Sequence, residues 1–329
     1  MKLLQVCNVG RIVGGTAACA WSVTRALPDV EHHVAFLSSI TDDTRAAFAG
    51  VQLHRCERLT NRLVRDLGID CVILHNTAAS RTERISAAWT MQYVHSRGTR
   101  APADCTRYCS RWLADACLRS PASCDDVLYQ CVPRPTSPEL RSDSGRLVVG
   151  RICAPTAAKW PRCVVEFYAV LARQHPAVEW EFVGCPGNLQ PEILNACNGR
   201  AVFHSAGWTA RLHLARWDAL LYHHPTLTES FGRTVAEAMR SGCVPIVDAR
   251  GGFLEQVTPE TGRLCSVSGD FSSAFEALSQ GNRRKQLAHA GRLRADELFS
   301  MAAFRRRLFG LWKGASVGAS RKLGGRRSS

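Results

Sequence analysis

Short apolar runs alternate with helical stretches twice along this chain, and "VPRPTSPELRSDSG", which has no apolar periodicity, separates the two series. In the first series "KLLQVCNVG", "HHVAFLSSI", "DCVILHN" and "MQYVHS" read as strands, with "DDVLYQCVP" as a short last one. "GTAACAWSVTRAL", "NRLVRDLGI", "ERISAAWT" and "CSRWLADACLR" read as the helices between them. The second series repeats the scheme, with "RLVVGRI", "VEWEFVG", "RAVFHSA", "DALLYHH" and "CVPIVDA" as strands. Its helices are "RCVVEFYAVLARQH", "PEILNAC", "TARLHLAR" and "GRTVAEAMRSG". Strands buried on both faces read as continuous apolar runs, and parallel neighbours need a helical crossover. The pattern therefore predicts an α/β fold with parallel sheets. A chain of 329 residues exceeds what one core comfortably serves. We expect one domain over 1–133, a linker over 134–145 and a second domain over 146–300. "MAAFRRRLFGLWKG" then sets Phe304, Leu308, Leu311 and Trp312 at helical spacing, which predicts an amphipathic helix over 301–314.

Composition excludes several classes. No stretch approaches the roughly 20 apolar residues of a membrane span. The first residues turn to glycine and arginine too soon for an export signal, so a cytoplasmic protein is expected. The 15 cysteines contain no C-x-x-C pair, and most sit in apolar runs such as "CVIL" and "GCVPIV". They read as small buried hydrophobes in a reducing compartment, not as a zinc or disulfide framework. The net charge is +14, and from Arg305 onward there are eight basic residues and no acidic one. Residues 315–329, rich in Gly and Ser, read as a disordered basic tail, either simply solvated or weakly attracted to a polyanion or to anionic headgroups at the inner membrane face. With the basic excess concentrated there, nucleic acid is not an expected partner.

Chemistry concentrates in "TLTESFGRTVAEAMRSGCVPIV", residues 226–247, where Glu229 and Glu237 flank a glycine turn and a helix start. Ligands of open parallel sheets sit beyond the carboxyl ends of the strands. The free N–H groups of a helix starting after Gly232 favour an anion, phosphate above all. Glu229 would face the same ligand, and carboxylates accept well from sugar hydroxyls. Spacing alone leaves a second reading open, with Glu229 as a helix cap and Glu237 as a surface acid.

The residues between and beyond the two glutamates resemble a known signature. Glu229-Ser230-Phe231-Gly232, Glu237-Ala238-Met239, Gly242, Pro245, Gly251-Gly252 and Glu255 resemble the retaining glycosyltransferases of family 4. The resemblance implies the GT-B fold: two Rossmann-like domains facing a central cleft, with a C-terminal helix crossing back to the first. "VVGRICAPTAAKWP" resembles the segment whose Arg and Lys clamp the donor diphosphate, which assigns Arg151 and Lys159. Lys159 is the only lysine between Lys2 and Lys285. Its gap from Arg151 is longer than usual in the family.

The resemblance further implies that Gly14 and Gly15 bring backbone to the diphosphate, together with Ser230, Phe231, Gly232 and Arg233. Glu229 would hold the donor sugar near the reacting carbon and Glu237 the nucleotide ribose. His95, followed here by Ser96 where the family has Asp, would contact the donor sugar as a catalytic residue. His75 and Asn76 would meet the acceptor. "AVFHSAGWT" takes the place of the base-binding loop, in which Trp208 is expected to pack. The implied reaction moves a sugar from a nucleoside diphosphate to a carbohydrate, lipid-linked or other hydroxyl acceptor, with retention. It needs neither a cofactor nor a metal, and no D-x-D motif is present. Two rivals stand beside it: a GT-B enzyme that epimerises or phosphorolyses sugars, and a non-catalytic sugar binder of the same fold.

Overall fold

The structure, a computed structural model, describes residues 1–136 and 146–324. It contains two six-stranded parallel sheets. The first comprises β1 (Lys2–Cys7), β2 (Glu31–Phe36), β3 (Gln52–Arg55), β4 (Cys71–His75), β5 (Trp89–Val94) and β6 (Cys105–Tyr108), in the order β3-β2-β1-β4-β5-β6. The second comprises β7 (Val148–Ile152), β8 (Glu179–Val183), β9 (Ala201–His204), β10 (Ala219–Tyr222), β11 (Val244–Asp248) and β12 (Arg263–Cys265), in the order β12-β11-β10-β7-β8-β9. Counted within its own sheet, each follows the same path. The chain starts at a central strand, winds to one edge, then returns to the centre and winds to the other. The order therefore reverses between β1 and β4 and again between β7 and β10, where open sheets bind ligands.

The central strands explain why the sequence was readable. In β1 the residues Leu3, Leu4, Val6 and Cys7 are fully buried, and β10 and β11 are buried throughout. The edge strands β3 and β6 are half exposed, so their mixed composition carries no continuous apolar run and both went unpredicted. "ERISAAWT" is not a helix. Asn61 Oδ1 takes the backbone N–H groups of Ser86 and Ala87, and Asn61 N–H groups hold Glu83, so the segment is tied to a side chain instead of to its own carbonyls. Its last two residues, Trp89 and Thr90, begin β5. "DDVLYQCVP" forms only a single bridge, Tyr108 to Val127.

The helix Met301–Gly324 runs back from the second sheet to the first, as expected. Phe304 packs on Tyr93 with ring centroids 6.3 Å apart, and Arg305 pairs with Asp29. The helical backbone continues through 315–324, the first part of the expected basic tail. Extending a helix already nucleated needs no new nucleus, although Gly318 and the serines there are poor helix formers. Residues 325–329 lie outside the described residues, as do 137–145 of the expected linker.

The two halves are joined by specific polar contacts as well as a shared apolar core. The Glu255 carboxylate, from the second half, accepts from the backbone N–H of Arg111 (2.8 Å) and Trp112 (2.7 Å) and from the Tyr129 hydroxyl (2.9 Å). It thereby caps the helix Arg111–Cys117, whose next free N–H, that of Leu113, is taken by Ser110 Oγ.

Candidate active site in the cleft between the sheets

A cavity of about 630 Å³ lies between the halves, at the carboxyl ends of both sets of strands. The first half contributes the turn from Ile12 to Thr16, Asn76, His95 and Gln130. The second contributes Lys159, Trp208, Arg211, Tyr222 and the run from Leu227 to Val235, with Glu237.

Gly232, with φ of 85°, turns the chain from that run into the helix Arg233–Ser241. The helix begins with no side-chain cap, and its first residues line the cavity. The free N–H groups and the dipole of its N-terminus together suit an anion. Beside it, the Lys159 ammonium is bonded to the Glu229 carboxylate, and the Tyr222 hydroxyl donates to the same Glu229 oxygen (2.9 Å). Both charged side chains stay about a quarter exposed, so each can be reached by a ligand. Burial and the Glu229 charge push the Tyr222 phenol well up, which keeps it a donor.

Arg233 points away from the loop and across the interface. It donates to Gln130 Oε1 (3.3 Å), the Cys131 carbonyl (3.0 Å) and Ser22 Oγ (3.0 Å), all in the first half, and lies 3.5 Å from Glu237. From Gln130 a chain of hydrogen bonds continues inward. The Gln130 amide donates to His95 Nδ1 (2.7 Å), His95 Nε2 meets His75 Nδ1 (2.9 Å), and His75 Nε2 meets Gln5 Oε1 (3.0 Å). One assignment satisfies every link: both imidazoles neutral, each protonated on Nε2 and accepting on Nδ1. Burial favours that state, pushing His75 down to about 3 and His95 well below the usual range, the latter helped by His75 and Arg233. Cys19 lies close to both rings, its thiol pushed up to about 12 by burial. The two facing imidazole nitrogens are committed to each other.

Of the expected site residues, Gly14, Gly15, Asn76, His95, Lys159, Ser230, Phe231, Gly232, Arg233, Glu229 and Glu237 all line the cavity. A side chain added at Gly15 would meet no protein atom within 4 Å, consistent with room for a ligand. Three expectations change. Arg151 is fully buried and does not line the cavity. Its guanidinium donates to the carbonyls of His223 (2.7 Å) and Lys159 (2.8 Å) and lies over the Trp160 ring, so it holds the Lys159 loop in place and does not clamp a ligand. His75 is likewise fully buried, with both ring nitrogens engaged, and it does not face an acceptor. His95 borders the cavity, yet its two nitrogens are also engaged, so in this state neither is offered to a sugar.

Glu237 is buried and takes its place between Arg233 and Arg211; burial raises its carboxyl, and the two arginines pull it back down. Asn76 spends its side chain on the His95 N–H (2.7 Å) and Ser96 Oγ (2.9 Å), and its φ of 55° is one that Asn tolerates. Trp208 does pack, edge-on against Trp21 of the first half at 4.9 Å, and the Arg211 guanidinium lies 3.7 Å over its ring. Sequence reasoning missed Tyr222, Gln130 and Arg211. Each is a polar-tipped residue in an apolar or basic stretch, and nothing in its local composition sets it apart.

Residues 158–294 match the family described as "Glycosyl transferases group 1". No curated protein sequence matches the chain. Solved structures similar to it include HepE of Anabaena in complex with UDP, with a TM-score of 0.73 at 16% identity over 95% of this chain and 100% of that one. A glycosyltransferase of Rickettsia africae superposes with a TM-score of 0.74 at 13% identity, covering 95% of this chain and 98% of that one. Sucrose-phosphate synthase of Thermosynechococcus elongatus gives 0.71 at 14% identity over 97% and 100%. The fold is GT-B, two parallel α/β sheets about one cleft.

Proposed function

We propose that this protein transfers a sugar from a nucleoside-diphosphate donor to an acceptor hydroxyl, with retention of configuration. The observation that carries the reading is the Lys159–Glu229 pair beside the N-terminus of the helix Arg233–Ser241, in a cavity built by both halves. The match of residues 158–294 to the glycosyl transferases and the family 4 resemblance around both glutamates support it. HepE, similar in fold, is seen with UDP, which supports a uridine nucleotide as the first donor to try.

In this reaction the bond from the anomeric carbon to the diphosphate breaks, and its electron pair goes to the leaving phosphate oxygen. The Lys159 ammonium and the amides at the helix start would meet that developing charge in a site already shaped for it. Glu229, released from Lys159 as the ammonium turns to phosphate, would hold donor sugar hydroxyls near the reacting carbon. The acceptor oxygen forms the new bond, and its proton goes to the departing phosphate. Glu237 would accept from the ribose, and the turn at Gly14 and Gly15 would close over the diphosphate. Arg151 acts through the Lys159 loop.

The acceptor, a carbohydrate or lipid-linked hydroxyl compound, would approach past the first-half lining of the cavity, the turn from Ile12 to Thr16. The 15 free cysteines support a reducing compartment, the cytoplasm, and the basic run after Arg305 supports a weak contact with anionic lipid. The test is incubation of the full chain with a panel of nucleotide sugars, measuring nucleoside diphosphate release and thermal shift. At least one donor should give both, and Glu229→Ala should lose the release. If no donor gives either signal, or Glu229→Ala releases product as fast as the parent protein, the transferase reading fails.

A further inference from the structure

Away from the cleft, on the β9 edge of the second sheet, Glu181 of β8, His204 of β9 and His213 of the short helix Ala210–Ala215 turn their polar atoms toward one point. One ligand atom from each lies within 4.8 Å of the others. Glu181 Oε2 is 3.0 Å from His204 Nε2 and 3.6 Å from His213 Nδ1, and the two imidazole rings are 4.1 Å apart. Ligands about 2.0–2.1 Å from a tetrahedral zinc ion stand roughly 3.3–3.4 Å from one another. The spacings in this cluster bracket that value.

The cluster already gathers a cation. Arg216 sets one guanidinium nitrogen 2.7 Å from His213 Nδ1 and 3.4 Å from Glu181 Oε2. Since a guanidinium only donates, the His213 Nδ1 lone pair faces the cluster, as a ligand's must. All three residues are 18–26% exposed at the side chain, open enough for an ion to enter and sheltered enough to hold it.

We infer that Glu181, His204 and His213 form a binding site for a divalent transition metal of zinc-like character, with Arg216 occupying its fourth side in the metal-free protein. Two imidazoles and one carboxylate suit zinc, and three protein ligands leave one position for water. Binding displaces the Arg216 guanidinium toward solvent and requires His204 to carry its proton on Nδ1. The metal would join β8, β9 and the helix Ala210–Ala215. The loop between the last two carries Trp208 into the cavity, and Arg211 follows at the helix start, so a filled site restrains that wall of the cleft.

The experiment is zinc titration of the full, untagged chain by calorimetry, in a background with the exposed Cys117, Cys124 and Cys163 replaced by Ser to remove competing thiols. One equivalent should bind, and hydrogen exchange over 205–211 should slow. Glu181→Gln, which keeps shape, and His213→Ala should each weaken binding by at least the roughly 10–100-fold loss seen when a ligand's support is disturbed. Arg216→Gln should tighten it roughly fivefold, the equivalent of freeing a partly exposed ion pair. Circular dichroism without zinc checks that each variant is folded. Absence of a stoichiometric site, or affinity unchanged in both Glu181→Gln and His213→Ala, overturns the inference.

Discussion

The Lys159 ammonium and the Glu229 carboxylate, seventy positions apart in the chain, are bonded to each other inside the cleft. Each was expected to meet a different part of one donor molecule. In the free protein they neutralise one another, so donor binding must exchange this ion pair for contacts to phosphate and sugar.

Lys159→Ala should lower kcat/KM at least about 100-fold, the scale of removing one donor aimed at developing negative charge. Because the pair is partly exposed, stability should change by no more than about 1 kcal/mol. Steady-state kinetics and urea denaturation on the same variant separate the two effects. A fall in activity accompanied by a large stability loss would point to a structural role.

Gly251 holds the Glu229 loop from behind. Its φ is 63°, and a Cβ there would lie 2.4 Å from the Glu229 carbonyl oxygen and 2.5 Å from Thr228 Cγ2. Gly251→Ala should cost about 2–4 kcal/mol, from left-handed strain and displaced backbone together. Activity should fall by about 100-fold through the shifted carboxylate, measurable as kcat at saturating donor.

Glu255 ties the halves by capping a helix that belongs to the other one. Glu255→Ala removes the acceptor of two backbone N–H groups and one hydroxyl, and should cost about 2–3 kcal/mol in denaturant. Hydrogen exchange should rise first at Arg111 and Trp112, while amides in the centre of β1 keep their protection.

Acid should weaken the fold through the buried histidines. An unfolded histidine takes a proton near pH 6.5, whereas His75 in the folded chain does so only at about 3. Between those values the unfolded state binds more protons, so stability falls as pH falls and is independent of this group above about 6.5. From pH 7.5 to 5.5, His75 alone should account for about 1.4 kcal/mol of lost stability. His75→Gln should make the denaturation free energy that much less dependent on pH across the same interval.

The amino-acid sequence by itself determined the architecture of two α/β halves, because buried parallel strands must be apolar along their length and crossovers must be helical. It also placed the glycine turn, the helix after it and the two flanking glutamates, all features of one short segment. The edge strands β3 and β6 escaped because an exposed edge imposes no such composition. Which polar groups face the ligand was decided only by the tertiary structure. Arg151 and Lys159 read as one clamp, yet the strand face on which Arg151 lies is covered by Trp160 and Tyr222, while Lys159, on the following loop, reaches the cleft. His75 and His95 read as two ligand contacts, but the pairing of β4 with β5 brings their rings together, and each satisfies the other. A buried polar group takes whatever partner packing delivers, and these partners come from residues far apart along the chain.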